Sequence, residues 1–234
     1  MDDSYSAQYQ SAYYSAGLRS YLIRVYNYMA LALGTTGAVA LMASLSSGLM
    51  NLIYGTPLHW VVSLAPIVMV FIMSSRVQSM SPSTMMMVFF GFSAVMGLSL
   101  SYIFLVYTAH SIARVFFISS AMFGAMALYG NTTKRDLSKY GSFLTMGVIG
   151  LIIASVVNLF LRSGPLYFAV SLVGVLVFTA LTAVNAQEIK DMYYRFNDGN
   201  EGTVSKMAIM GATSLYFAYI NIFIHMLHLM GDRR

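Results

Sequence analysis

The sequence contains no cysteine. Disulfides, thiolate metal centres, iron–sulfur clusters and cysteine nucleophiles are therefore outside its chemistry. Charge is nearly as scarce: Asp, Glu, Lys and Arg together make up 9% of the 234 residues, while 58% are hydrophobic. An ordinary soluble domain is about 25% charged. So little charge cannot coat so apolar a chain with a water-facing surface. It is also too little for the flanking positions of a coiled coil or for the solvation of a disordered chain. The solvent for most of this protein is lipid.

What is present is a set of long apolar runs. Seven approach the roughly 20 residues that cross a bilayer: 28–49, 58–74, 85–107, 113–130, 142–161, 166–184 and 207–230. None alternates as the strands of a membrane barrel do. In lipid every backbone polar group must find its partner internally, so the runs are predicted to be helices. The 19 methionines suit such a bundle, since the flexible thioether fills irregular gaps. Gly55-Thr56-Pro57, Ser81-Pro82-Ser83 and Gly164-Pro165 punctuate turns between runs. Thr133-Lys134-Arg135-Asp136 fits a capping box and predicts a short interfacial helix before the fifth run. The longest and most charged link is 185–206. There is no internal repeat of the kind that marks inverted-repeat transporters.

The first run starts too late and is too long for a signal peptide, and no small-residue cleavage site follows it, so it reads as a retained anchor. The division that results is a cytoplasmic tail over 1–26, a seven-helix membrane domain over 27–231 and a short end over 232–234. The leader carries Tyr5, Tyr9, Tyr13 and Tyr14. It reads as a floppy tail, as a handle for a partner, or as an interfacial anchor leading into Arg19 and Arg24.

Net charge is +5, with 13 basic residues against eight acidic ones. The basic residues lie in short loops, which points to membrane topology and not to nucleic acid. Arg19, Arg24, Arg76, Lys134, Arg135, Lys139, Lys190, Arg195 and Lys206 fall on one side of seven crossings. Arg114, Arg162, Arg233 and Arg234 fall on the other. The positive-inside rule then puts the N-terminus in the cytoplasm and the C-terminus outside.

Polar side chains inside spans are the best functional pointers. In the seventh run, Gly211, Ser214, Ala218, Asn221, His225 and His228 follow spacings of three and four, so they share one helix face. Small residues allow close helix approach there, and the polar ones can hydrogen-bond across it. The face is either a packing surface or the wall of an aqueous path. Thr182, Asn185 and Glu188 similarly gather near one side at the end of the sixth run, with Glu188 at the boundary. His225 and His228 could share a zinc only with further ligands, so no metal site is expected. No nucleophile elbow, intramembrane lysine, phosphate-binding glycine loop or His-Glu-x-x-His pattern is present, so an enzyme is not expected.

Several stretches carry a family resemblance. They are Gly130-Asn131-Thr132-Thr133-Lys134-Arg135-Asp136-Leu137-Ser138, Thr182-Ala183-Val184-Asn185-Ala186-Gln187-Glu188-Ile189-Lys190, and Ser214-Leu215-Tyr216-Phe217-Ala218-Tyr219-Ile220-Asn221-Ile222-Phe223 closing on Leu229-Met230-Gly231. The leader Gly17-Leu18-Arg19-Ser20-Tyr21 adds to them. In their order and spacing the chain resembles the bacterial branch of the Bax inhibitor-1 family over nearly its whole length. The resemblance implies a multi-pass protein of the bacterial inner membrane, with seven helices and the last one central. It implies a pH-sensitive calcium leak, with calcium as the transported ion and no cofactor. Some bacterial relatives instead restrain a membrane-anchored AAA+ protease, which makes a non-conducting modulator the alternative.

In the leak mechanism of that family, two aspartates of the sixth and seventh helices share a proton, because two close carboxylates cannot both ionise cheaply. Those positions fall here on Asn185 and Ala218, and an arginine of the same cluster is matched approximately by Arg76. Asparagine keeps an oxygen but cannot titrate, and alanine keeps neither. Thr182, Glu188, Ser214, Asn221, His225 and His228 remain as candidates for lining or gating a path. Histidine is the natural titrator near neutrality, so a residual pH response is expected to run through His225 or His228.

Overall fold

The computed structural model describes the backbone of residues 2–76 and 79–234 and the side chains of residues 16–71, 75 and 79–234. Among the described residues the chain forms nine helices: α1 (Asp2–Leu45), α2 (Ser47–Tyr54), α3 (Leu58–Arg76), α4 (Pro82–Leu100), α5 (Ile103–Val106), α6 (Ala109–Thr132), α7 (Ser138–Leu161), α8 (Gly164–Phe196) and α9 (Glu201–Met230).

The first membrane-length segment is Ala16–Leu45, which begins earlier than the apolar run and ends sooner. Its start is set by a buried face. Tyr21, Val25, Met29, Ala32, Thr36, Ala40 and Ala43 recur every three or four residues and are all buried, so the helix docks well before hydropathy rises. Its end is set by Ser46, whose hydroxyl accepts the Leu49 amide at 3.3 Å and opens α2. The leader residues proposed as a partner handle belong to the helical backbone of α1, and their side chains lie outside the described residues.

Six helices are long and apolar enough to cross a membrane. The seventh crossing is the pair α2 and α3, bent by 84° at Gly55-Thr56-Pro57. The Tyr54 hydroxyl holds this bend against the end of α4, where it meets the carbonyls of Leu98 and Ser99 at 3.1 and 3.2 Å. Ser81 and Ser163 cap α4 and α8, each with proline in the first turn, as turn chemistry predicts. The third run is broken at Ser101 and Tyr102 into α4 and the single turn α5.

Two expectations are corrected. No interfacial helix forms over 133–137. The Thr133 hydroxyl accepts the Arg135 amide, a local turn that competes with a capping box, and α7 starts only at Ser138. The long link 185–206 is also mostly helix. α8 runs on to Phe196 and carries the charged residues out past the apolar zone, leaving a four-residue turn before α9.

α9 is the centre of the bundle. Its apolar window is 67% buried, against 11% for α7. It packs on α1, α4, α6 and α8, while α3 rests on α4 and α7 on α8. Tyr216 joins three helices by donating to the Thr36 hydroxyl (2.7 Å), which in turn donates to the Ser93 carbonyl (2.9 Å). Tyr219 reaches Ser120 of α6 at 2.9 Å.

The two ends of the bundle are chemically distinct. At one, Arg24 bonds Glu201 and Ser205, both at 3.1 Å, and Lys190 donates to the Asn131 carbonyl. At the other, Arg114 bonds Asp232 at 3.1 Å and the Met230 carbonyl at 2.8 Å. The C-terminal residues fold back there, with Arg233 bridging to Tyr107 and the Arg234 amide donating to Val106.

Candidate functional site

The polar stripe of α9 faces α8 along most of its length. Near the Arg24 end, Gly211 leaves room for Ile189, whose side chain would lie 3.0 Å from a Cβ at that position. One turn on, the Asn185 amide of α8 donates to the Ser214 carbonyl at 3.4 Å. Ala218 is buried beside this contact. Asn185 thus makes a neutral amide contact and Ala218 presents a methyl group at the two positions that the sequence resemblance matched to an acid pair. At 3.4 Å that hydrogen bond is long, and intramembrane bonds average only about 0.6 kcal/mol.

The other candidates divide between interior and edge. Thr182 is fully buried, and its hydroxyl returns to the Phe178 carbonyl of its own helix at 2.9 Å. Ser214 is exposed at the edge of the stripe and bonds the Met210 carbonyl. Asn221 is half-buried and donates to Phe217. Glu188 is exposed and lines a polar crevice of about 370 Å³ between α7 and α8, with Ser138, Ser142, Gln187, Asp191 and Arg195. It does not join Asn185 at the α9 contact. α3 ends on Arg76, whose side chain lies outside the described residues.

His225 and His228 sit at the opposite end of the same seam. The His225 ring stacks on Phe178 at 5.8 Å and stands perpendicular to His228 at 6.2 Å. His228 packs on Tyr167 at 5.0 Å. Both histidines line a second crevice, of about 410 Å³, with Ser155, Asn158, Arg162 and Ser171. The His225 Nδ1 atom is buried with no protein partner. Among the described residues no three His, Asp or Glu side chains are grouped so as to hold a metal ion.

Two structural roles are not legible in the sequence. Gln187 clamps the loop before α7: its Oε1 accepts the buried Leu137 amide at 2.7 Å and its Nε2 donates to the Arg135 carbonyl at 2.8 Å. Nothing in one helix's periodicity announces a partner 50 residues away. In that loop the Ser138 hydroxyl, followed by the Ser138 amide, holds the Asp136 carboxyl below the usual carboxylate range. The second role is that of Arg162. It caps α7 with φ 50° and ψ 35°, the left-handed region that favours glycine. For an L-residue with a side chain that conformation costs roughly 1–2 kcal/mol.

No described carboxylate is buried. Asp136, Glu188, Asp191, Asp198, Glu201 and Asp232 all lie toward the ends of the bundle. The arrangement is therefore a closed seam of small and neutral polar groups, with a polar crevice at either end of α8.

Comparison with known proteins agrees with this architecture. Residues 18–234 match the family model described as inhibitor of apoptosis-promoting Bax1. The chain is 44% identical to the uncharacterized protein RP147 of Rickettsia prowazekii over 94% of its own length and 93% of the relative's. It is 41% identical to the inner membrane protein YbhL of Escherichia coli over 94% of each chain. It is 38% identical to an uncharacterized protein of Caulobacter vibrioides over 94% of this chain and 91% of that one. With the family model matched from the docked part of α1 to the last residue, this seven-crossing helical chain belongs to the Bax inhibitor-1 family.

Proposed function

We propose that this chain is an inner-membrane protein of the leak type, passing calcium or another cation slowly along the α8–α9 seam without a titrating acid pair. The observation that carries the reading is the polar stripe of α9 against α8, with a polar crevice at each end of α8, the one at His225 and His228 opening on this seam and the one at Glu188 lying on the α7 side. Between them the Phe178–His225 stack and buried Thr182 close the way. Flux then requires α8 to part from α9, which the weak Asn185–Ser214 contact resists only slightly. The name of the Escherichia coli relative supports the inner membrane as the location. The distribution of basic residues supports a cytoplasmic N-terminus and an outer C-terminus.

Calcium prefers six to eight oxygens, and its affinity rises with ligand charge. A seam with one amide and a few hydroxyls offers a weak central site, so low selectivity follows. The test is calcium flux into proteoliposomes over roughly pH 6 to 8, where histidine titrates and acid pairs with raised pKa values do too. The expected result is slow flux through the native chain and faster, strongly pH-dependent flux through the Asn185→Asp/Ala218→Asp double variant. Flux in the variant alone would reject conduction by the native chain.

A second reading is favoured by the neutral seam itself. A bundle with no described buried carboxylate suits a non-conducting modulator of a membrane-anchored AAA+ protease or another membrane complex, gripped through the leader. Deleting residues 1–15 then lowers recovery of the complex from detergent extracts. Full recovery after deletion would reject the leader as the handle.

A further inference from the structure

We infer that the crevice at the outer end of α7, α8 and α9 is a binding site for the phosphate of an anionic phospholipid, with Arg162 as its principal charged group. The inference concerns a bound lipid and does not depend on whether the bundle passes ions.

The first observation is the side-chain chemistry of the crevice. Arg162 and the Asn158 amide supply donors, His225 and His228 add imidazole nitrogens, the Ser155 and Ser171 hydroxyls already donate to the Leu151 and Tyr167 carbonyls, and no carboxylate lines it. Among the described residues Asp232 is the one acidic side chain at this end, and Arg114 already holds it at 3.1 Å. Arg162 makes no salt bridge among the described residues. Arg233 adds positive charge beside the crevice, with its guanidinium 5.9 Å from the Tyr167 ring. A concave site of donors and cations with no counter-charge selects an anion, and a guanidinium matches phosphate oxygens in bidentate geometry.

The second observation is the backbone at Arg162. The chain turns from α7 into α8 on a left-handed residue, φ 50°, and the turn is secured by the Arg162 amide on Asn158 O (2.8 Å) and the Ser163 amide on Asn158 Oδ1 (2.9 Å). Glycine is the residue that suits such a turn. An arginine there keeps a strained backbone and gains only what its side chain does at the crevice. Strain of this kind points from an observed outlier to a role.

The third observation is what borders the crevice. Leu159 lines it, and Leu159, Phe160, Leu161, Phe168 and Leu172 are exposed on the surfaces of α7 and α8. In a membrane these side chains face lipid. A free phosphate would use only the polar half of the site. A phospholipid uses both halves, with its phosphate among Arg162 and the histidines and its acyl chains along α7 and α8. That continuity commits the site to a lipid.

The test is native mass spectrometry of the full chain released from nanodiscs of mixed phosphatidylglycerol and phosphatidylcholine. The native chain should retain one phosphatidylglycerol preferentially. Arg162→Gly should fold at least as well, because glycine relieves the left-handed turn, yet lose that lipid by roughly tenfold, the scale of one charge-assisted contact. Arg234→Gln, which removes a cation from the same end but not from the crevice, should retain it. Equal retention by Arg162→Gly overturns the proposal. So does displacement of the lipid by millimolar inorganic phosphate, which would make the site one for the free anion.

Discussion

Gly174 of α8 and His225 of α9 occupy one another's space. A Cβ on Gly174 would lie 2.5 Å from His225 Cδ2 and 2.6 Å from Cγ, so the imidazole fits against α8 only because the facing residue has no side chain. The ring also stacks on Phe178, one turn further along α8. Replacing Gly174 with alanine gains about 1 kcal/mol of helix propensity but overpacks the seam, which costs about 1–3 kcal/mol. The expected outcome is a lower unfolding midpoint in detergent, restored in part by adding His225→Ala. A midpoint that rises in Gly174→Ala would mean the seam has slack.

The junction of α1, α4 and α9 should behave as one unit. Tyr216 and Thr36 are both buried and their hydroxyls lie 2.7 Å apart. A double-mutant cycle of Tyr216→Phe and Thr36→Val is expected to give a coupling of about 0.6 kcal/mol, the mean for intramembrane hydrogen bonds. Strict additivity of the two single losses would show that the contact contributes nothing.

Gln187 should govern the order of the loop before α7. Gln187→Leu leaves the buried Leu137 amide without an acceptor, an outcome that costs about 1–3 kcal/mol. Gln187→Glu keeps that acceptor and loses only the bond to Arg135. Hydrogen exchange at Leu137 should therefore rise strongly in the leucine variant and little in the glutamate variant. The same rise in both would assign the clamp to the Arg135 side.

The same loop should respond to acid. Asp136 is held below the ordinary carboxylate range, first by the Ser138 hydroxyl and then by the Ser138 amide. A lowered folded pKa means that the ionised form is the one the fold favours. The contact is complete above the ordinary aspartate value of about 3.9 and is lost as pH falls through the lowered one. In a carboxyl NMR titration, Ser138→Ala should bring Asp136 back up toward that ordinary value. An unchanged titration would show that the serine is not its partner.

The calcium-flux comparison of the native chain with Asn185→Asp/Ala218→Asp rests on a further local fact. Asn185 donates to a carbonyl, and an ionised aspartate cannot. An acid placed there meets an acceptor and favours its protonated form. The single variant Asn185→Asp should therefore leave flux low in the acidic part of the range and raise it as the group ionises. Flux that is insensitive to pH in that variant would place the path elsewhere.

The amino-acid sequence by itself determined that the protein lives in lipid, that it is helical and that it has seven crossings. Hydrophobic length and scarce charge decide those matters locally, residue by residue. It also determined the ends of most helices, because serine caps and proline first turns act within a few residues, as at Ser81-Pro82 and Ser163-Gly164-Pro165. The periodic stripe on α9 was visible, and so was its likeness to a packing face. Only the tertiary structure decided what that face meets. Asn185 finds Ser214, 29 residues away, and His225 finds Gly174, 51 positions back along the chain. It also parted Glu188 from its expected companions, because one extra turn of α8 carries it into the crevice against α7. The early start of α1 depends on its contacts with Tyr193 of α8 and with Glu201 and Ser205 of α9, and the course of loop 133–137 on the Gln187 side chain. Pairings of that range leave no periodic trace in either partner, because each arises from where two helices cross and not from the order of residues along either one.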